Sequence, residues 1–260
     1  MLSDDLTRAL TRLAERPRVI LASDFDGTLA PFVLDPMSAR PIEGAMDALH
    51  DATQLPGLCV ALVSGRDVET LRTLSGVAEQ GPIILIGSHG AQSSRADLAP
   101  AALLDEDRRS LLAELNQSLQ EVQQAHPQAR IENKPAAVAL HTRGLPEDAA
   151  AAALADAEAV ADRPGVHLMR GKSVVELGVV DTSKGLALTR LAQCEDAPVL
   201  YFGDDVTDER AFEMLPSGDG HVTVKVGSGD SAAEYRVEQV QDVLACLRLF
   251  VAARASRCQR

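Results

Sequence analysis

Five runs of apolar residues stand out along the chain, and each ends in polar or glycine-rich positions. Arg18–Asp24 (RVILASD) closes on carboxylates, and Leu58–Val63 (LCVALV) gives way to Ser64-Gly65-Arg66. Pro82–Ile86 (PIILI) leads into Gly87-Ser88-His89-Gly90, and Pro198–Phe202 (PVLYF) into Gly203-Asp204-Asp205. Val222–Val226 (VTVKV) is followed by Gly227-Ser228-Gly229. Continuous apolar runs of this length predict strands of a parallel sheet covered on both faces. Helical patterns lie between them at Ile42–Leu55, Asp67–Leu74 and Lys184–Ala192. This alternation predicts a doubly wound α/β domain.

The middle of the chain follows a different rhythm. An amphipathic stretch at Asp105–Ala125 precedes two strand-like pieces, Ala129–Glu132 and Ala137–Thr142. Pro146–Ala161 is alanine-rich and helical, with Glu147 and Asp148 in the first turn, where the helix dipole favours acids. His167–Met169 and Ser173–Leu177 then read as strands around a turn at Arg170-Gly171-Lys172. An α+β pattern thus interrupts the α/β one. The expected organisation is a core of residues 1–92 and 179–260 with a cap of residues 93–178 inserted after the third strand, hinged near Ser93 and Gly178.

Composition narrows the chemistry. With 46% hydrophobic residues but 3% aromatics and no Trp, the core is built from Leu, Val, Ile and Ala. A net charge of −13 argues against nucleic acid or an anionic membrane as partner. An anionic substrate then needs local positive charge at its site. Cys59, Cys194, Cys246 and Cys258 have no metal-type spacing and read as incidental thiols. The N-terminal residues lack the basic and apolar regions of a secretory leader, and no run approaches the length of a membrane span. A cytoplasmic monomer is expected.

In an open α/β sheet, ligands bind at the carboxyl ends of the strands. The polar clusters above therefore converge on one crevice. Asp24 and Asp26, two positions apart past a strand, repel each other unless a cation or a raised pKa relieves them. A divalent cation leaves Asp24 ionised as a nucleophile and frees Asp26 for general acid and base work. Asp-x-Asp-Gly also opens calcium loops, but the remaining positions of that pattern are apolar or proline here. Asp204 is the expected direct carboxylate ligand, with Asp205 beside it and Asp208 placed to hold a coordinating water. An acidic helix N-terminus is the plain alternative for this cluster. Ser64 and Gly65 offer a hydroxyl and backbone N–H groups to phosphate oxygens, although Ser is also a common N-cap. Lys184 opens a helix, where the dipole disfavours a cation, so it is expected to face an anion.

The ordered set Asp-x-Asp-Gly-Thr, Ser-Gly-Arg, Lys and Gly-Asp-Asp-x-x-Asp resembles the four motifs of the haloacid dehalogenase superfamily of phosphatases. That resemblance implies a Rossmann-like core with a parallel sheet, an inserted α+β cap of the C2 type and a phospho-aspartyl intermediate on Asp24. It also implies Mg²⁺ held by Asp24, the backbone carbonyl of Asp26, and Asp204. Four details resemble the trehalose-6-phosphate phosphatase family more closely. They are Gly87-Ser88-His89-Gly90-Ala91, Glu132-Asn133-Lys134 leading to His141-Thr142-Arg143, Gly171 to Glu176, and Gly203 to Glu209 with Phe212 beyond. By that resemblance Glu132, Lys134 and Glu176 reach sugar hydroxyls, a role that carboxylates and an ammonium can fill. The family pattern continues Glu-x-Arg-Pro where this chain has Glu176-Leu177-Gly178-Val179. Phosphatases for sucrose phosphate, a glycosylglycerate phosphate or a hexose phosphate are the neighbouring expectation. A receiver-type phospho-aspartyl switch uses the same residue types in a shorter domain without an inserted cap.

Overall fold

The computed structural model describes residues 2–100, 104–171 and 173–258. It divides into two compact units, Met1–Ala99 with Thr182–Arg260, and Pro100–Asp181. The first unit carries α1 (Asp4–Ala14), β1 (Val19–Asp24), α2 (Ala45–Thr53), β2 (Leu58–Val63), α3 (Val68–Ser75), β3 (Ile83–Gly87) and β4 (Gln92–Ser93). The second holds α4 (Glu106–Ala125), β5 (Arg130–Lys134), β6 (Ala137–His141), α5 (Glu147–Val160), β7 (His167–Gly171) and β8 (Val174–Gly178). The chain then returns to the first unit with α6 (Lys184–Glu195), β9 (Val199–Gly203), α7 (Val206–Met214), β10 (Val222–Val226), β11 (Tyr235–Val237) and α8 (Val240–Cys258).

The first unit is built on a seven-stranded sheet in the order β11-β10-β9-β1-β2-β3-β4, parallel except for the short edge strand β4. Burial on both faces explains the unbroken apolar runs. Val19 and Leu21 of β1 join one core with Leu6 and Leu10 of α1, Leu49 of α2 and Leu247 of α8. Ile20 and Ala22 face the opposite core with Leu188 of α6 and Phe212 of α7. The fold class is therefore the expected one, a Rossmann-like α/β core.

In the second unit, β5-β6-β8-β7 form an antiparallel sheet. Val138 and Leu140 of β6 and Val175 and Leu177 of β8 pack with Leu115 and Leu119 of α4 and Ala153 and Ala157 of α5. The turn expected at Arg170-Gly171-Lys172 starts later, because β7 runs on through Gly171 paired with Val174. Lys172 itself lies outside the described residues, and Ser173 takes a left-handed φ of 65°.

Among the described cysteines, Cys246 is buried, Cys59 half-buried and Cys194 exposed, and all three are free thiols. Burial pushes the Cys59 thiol up to about 11 and that of Cys246 to about 12, which leaves both inert at neutral pH. The Cys258 side chain lies outside the described set. No helix among the described residues is long and apolar enough to cross a membrane.

Candidate active site

Strand register assembles the site. Asp24 at the end of β1 stands opposite Val63 of β2, and Ser23 opposite Phe202 of β9. The residues that follow, Ser64 on one side and Gly203-Asp204 on the other, therefore flank Asp24 at the carboxyl edge of the sheet. A left-handed φ of 79° at Gly27 turns the chain back after Asp26. A Cβ there would fall 2.1 Å from Asp204 Oδ2, so only glycine lets the two loops meet. Thr28 Oγ1 donates to Asp204 Oδ1 at 3.1 Å across the same junction.

Lys184 lies at the centre. It opens α6 behind the N-cap Ser183, whose hydroxyl accepts from the Leu186 N–H. Its buried Nζ is 3.0 Å from Asp24 Oδ1, donates to Asp208 Oδ1 at 2.9 Å, and lies 3.7 Å from Asp205 Oδ1. A cation at this helix start thus faces anions, as its position demanded. Burial works against the ammonium, but Asp24, Asp208 and Asp205 outweigh it and hold the lysine charged above its usual value.

The acids respond in opposite directions. Burial pushes the Asp24 carboxyl well above the ordinary carboxylate range, with Lys184 pulling it down and Asp208 adding to the rise. Burial also raises Asp204 and Asp208, against the hydrogen bonds each receives. Asp205 goes the other way. Lys184, the Thr207 hydroxyl and the Asp208 N–H overcome the effect of burial and lower it to about 2.

Asp208 does more than the sequence announced. Its Oδ1 accepts from Lys184 and, at 2.5 Å, from the Tyr201 hydroxyl. Its Oδ2 accepts from the Asp204 and Asp205 N–H groups at 2.9 and 3.1 Å. With Asp205 as N-cap of α7, the pair forms a reciprocal capping box that shapes the acidic loop. Asp24, Asp204 and Asp208 present carboxylate oxygens within 4.8 Å of one another. Both oxygens of Asp208 are already engaged by donors. Asp24 and Asp204 thus remain as hard oxygen donors whose repulsion a divalent cation relieves, and the donor set fits such an ion.

Asp26 is gripped by Arg66, a partner 40 residues away that sequence reasoning noted only as part of Ser-Gly-Arg. Ser64 is buried, and its Oγ accepts from the Arg66 N–H at 3.1 Å. The next loop braces this one. Ser88 donates its N–H to Arg66 O at 2.7 Å, and His89 its N–H to Ser64 O at 3.0 Å. Both residues sit in the left-handed region, at φ 49° and 53°, a strained pair that side chains rarely tolerate. A Cβ on Gly65 would fall 2.6 Å from the His89 ring, so glycine makes room for the imidazole.

The remaining expected residues form a separate cluster in the second unit. Glu132 pairs in register with Ala139, which pairs with Glu176, and Lys134 lies two residues along on the same sheet face. That face is opposite the one carrying Val138, Leu140, Val175 and Leu177. Lys134 Nζ is 2.5 Å from Glu176 Oε2, and His141 Nε2 is 2.7 Å from Glu132 Oε2. The sequence pointed to the three charged residues but not to their pairing.

A parallel sheet ending in this set of acids, a buried lysine and a Ser-Gly-Arg loop defines a protein of the haloacid dehalogenase type. Residues 22–241 match the family model described as trehalose-phosphatase, and the chain belongs to that family. It is 30% identical to the trehalose-6-phosphate phosphatase of Escherichia coli over 235 residues, covering 88% of this chain and 85% of that protein. It is 36% identical to an uncharacterized glycosyl hydrolase of Mycobacterium tuberculosis over 252 residues, 90% of this chain. The chain spans only 18% of that relative's length. A solved structure of trehalose-6-phosphate phosphatase from Aspergillus fumigatus superposes with a TM-score of 0.67 at 26% identity, covering 95% of this chain and 97% of that one.

Proposed function

We propose that the chain is a Mg²⁺-dependent phosphatase that hydrolyses trehalose 6-phosphate to trehalose and phosphate, the last step of trehalose synthesis. The observation that carries the proposal is the buried Lys184 ammonium shared by Asp24 and Asp208 beside the Asp204 loop. It places a fixed positive charge against a buried carboxylate that has a second acid as neighbour. Asp24, the Asp26 carbonyl and Asp204 would hold the metal, which when bound would supply charge neutralisation for the phosphoryl group. Ser64, the Gly65 N–H and Lys184 orient the phosphate oxygens for in-line attack. Asp24 attacks phosphorus and becomes the aspartyl phosphate. Asp26, which Arg66 holds as a carboxylate here, takes up a proton from solvent as substrate binds, gives it to the departing sugar oxygen, then takes one from the water that hydrolyses the intermediate.

Residues 93–178 act in this reading as a substrate-selecting cap, in which Glu132, Lys134 and Glu176 bind sugar hydroxyls. Their present pairs, Lys134 with Glu176 and His141 with Glu132, keep the charges satisfied until hydroxyls replace them. The protein works as a cytoplasmic monomer. A panel of sugar phosphates with and without EDTA tests the whole reading. Strong preference for trehalose 6-phosphate over glucose 6-phosphate, lost on chelation, is the expected result. Preference for sucrose phosphate, a glycosylglycerate phosphate or a hexose phosphate would move the assignment to a neighbouring substrate, consistent with the departure after Glu176. Turnover that survives chelation would contradict the metal site itself.

A further inference from the structure

Lys225 interrupts the buried strand Val222-Thr223-Val224-Lys225-Val226, all five of whose residues are buried. An unpaired ammonium in such a place is strongly unfavourable, so its partners carry information. Register sets Lys225 opposite Gly203, one residue before Asp204. Its Nζ donates to the Asp204 carbonyl oxygen at 2.6 Å and lies 3.0 Å from Glu209 Oε1. Glu209 is anchored from the far side, its Oε2 accepting from Ser231 Oγ at 3.0 Å and the Ala232 N–H at 2.8 Å. Asp204 is therefore held at three points. Its N–H goes to Asp208, its carboxylate receives Thr28, and its carbonyl receives Lys225.

We infer that Lys225 is a positioning residue of the metal site, fixing the Asp204 main chain so that its carboxylate is presented toward Asp24. Two buried lysines then divide the acidic run between them. Lys184 serves the Asp24, Asp205 and Asp208 side chains, and Lys225 serves the Asp204 backbone and Glu209. With side-chain exposure of 7% and its contacts directed at the Asp204 carbonyl and the first turn of α7, Lys225 acts through Asp204 rather than on a substrate. Groups that orient a ligating carboxylate contribute to metal affinity although they never touch the ion.

The inference rests on Asp204 being a metal ligand, and the test separates the two claims. Metal-free full-length protein is titrated with Mn²⁺ by electron paramagnetic resonance, and with Mg²⁺ by calorimetry, for Lys225→Met, Lys225→Arg, Glu209→Gln and Asp204→Asn. Melting temperatures are recorded without metal. Lys225→Met is expected to weaken metal binding by about 10–100-fold. Excess Mg²⁺ should restore much of its kcat, with KM for the sugar phosphate little changed. Lys225→Arg, which keeps charge and donors, should retain most of the affinity. Glu209→Gln, which loosens the anchor alone, should fall between. A lowered melting temperature with unchanged metal affinity in Lys225→Met would make the lysine merely structural and overturn the inference. If that variant does not fold, unchanged affinity in Glu209→Gln overturns it equally. Undiminished metal binding in Asp204→Asn would instead remove the reading of the site on which the inference rests.

Discussion

Arg66 holds Asp26 with two parallel hydrogen bonds, Nε to Oδ2 at 2.6 Å and Nη2 to Oδ1 at 2.7 Å. This bidentate geometry fixes the carboxylate plane in a way that a lysine ammonium does not reproduce. It ties the loop after β1 to the loop after β2, joining the Asp26 carboxylate to the Ser64-Gly65-Arg66 segment. Arg66→Lys is expected to lower kcat with a smaller change in KM, because the group that must be aimed in the transition state loses its aim. Asp26→Asn should cost more, about 10²–10⁴-fold in kcat, the usual range for losing a general acid. Steady-state phosphate release checks both. Equal rates for wild type and Arg66→Lys would show that the clamp has no part in the reaction.

Much of this site is readable in the sequence because strand ends and apolar runs are local signals. β1, β2, β3, β9 and β10 announce themselves through residues buried on both faces. The convergence of Asp24, Ser64, Lys184 and Asp204 follows from the topology of such a sheet. What the sequence did not disclose is pairing across distance. The Arg66–Asp26 clamp spans 40 residues and the Lys225–Asp204 contact 21, and no periodicity encodes either. The signals that existed were misfits. Tyr201 places a hydroxyl in an otherwise apolar strand, and Lys225 an ammonium in a buried one. Helix α1 also went unread, although Ser3 caps it and Leu6, Leu10 and Leu13 are buried along one face.

Asp24 is buried and its carboxyl is raised mainly by that burial, with Lys184 pulling it down, so its negative charge is costly to hold in the metal-free fold. Asp24→Asn supplies a neutral group of the same shape. Turnover should vanish, while the melting temperature without metal should hold or rise. Circular dichroism melting beside a phosphate-release assay decides it. Near-wild-type activity would end the assignment of Asp24 as nucleophile.

Lys184 makes the opposite prediction. Removing its charge leaves Asp24 and Asp208 facing each other in a buried setting, with the Tyr201 hydroxyl as Asp208's remaining side-chain donor. Breaking a buried pair by deleting one partner typically costs about 3–5 kcal/mol. Lys184→Met should therefore be destabilised by an amount of that order, measured by urea unfolding. A second variant, Lys184→Met with Asp24→Asn, should recover part of the loss, because one of the stranded carboxylates has gone. Additive losses in the double variant would mean that the two side chains are not coupled.

His221 offers a pH test away from the chemistry. Its Nδ1 accepts the Val199 N–H at 2.9 Å, anchoring the amino end of β9, whose carboxyl end leads into Asp204. An imidazole accepts there only while Nδ1 is unprotonated. Burial lowers its pKa from 6.5, with Asp219 pulling weakly upward. Below pH 6.5 the unfolded chain therefore binds a proton that the folded chain resists, and stability falls with pH until the lowered native pKa is reached. His221→Asn keeps an oxygen acceptor but cannot titrate. Thermal unfolding of both proteins in metal-free buffer between pH 8 and 5 should give curves that run together above about pH 7 and separate below, with wild type losing more. Groups that do not interact with His221 contribute equally to the two curves, so the gap reports His221 together with its neighbour Asp219. Curves that stay parallel over the whole range would show that the His221 proton is not linked to folding.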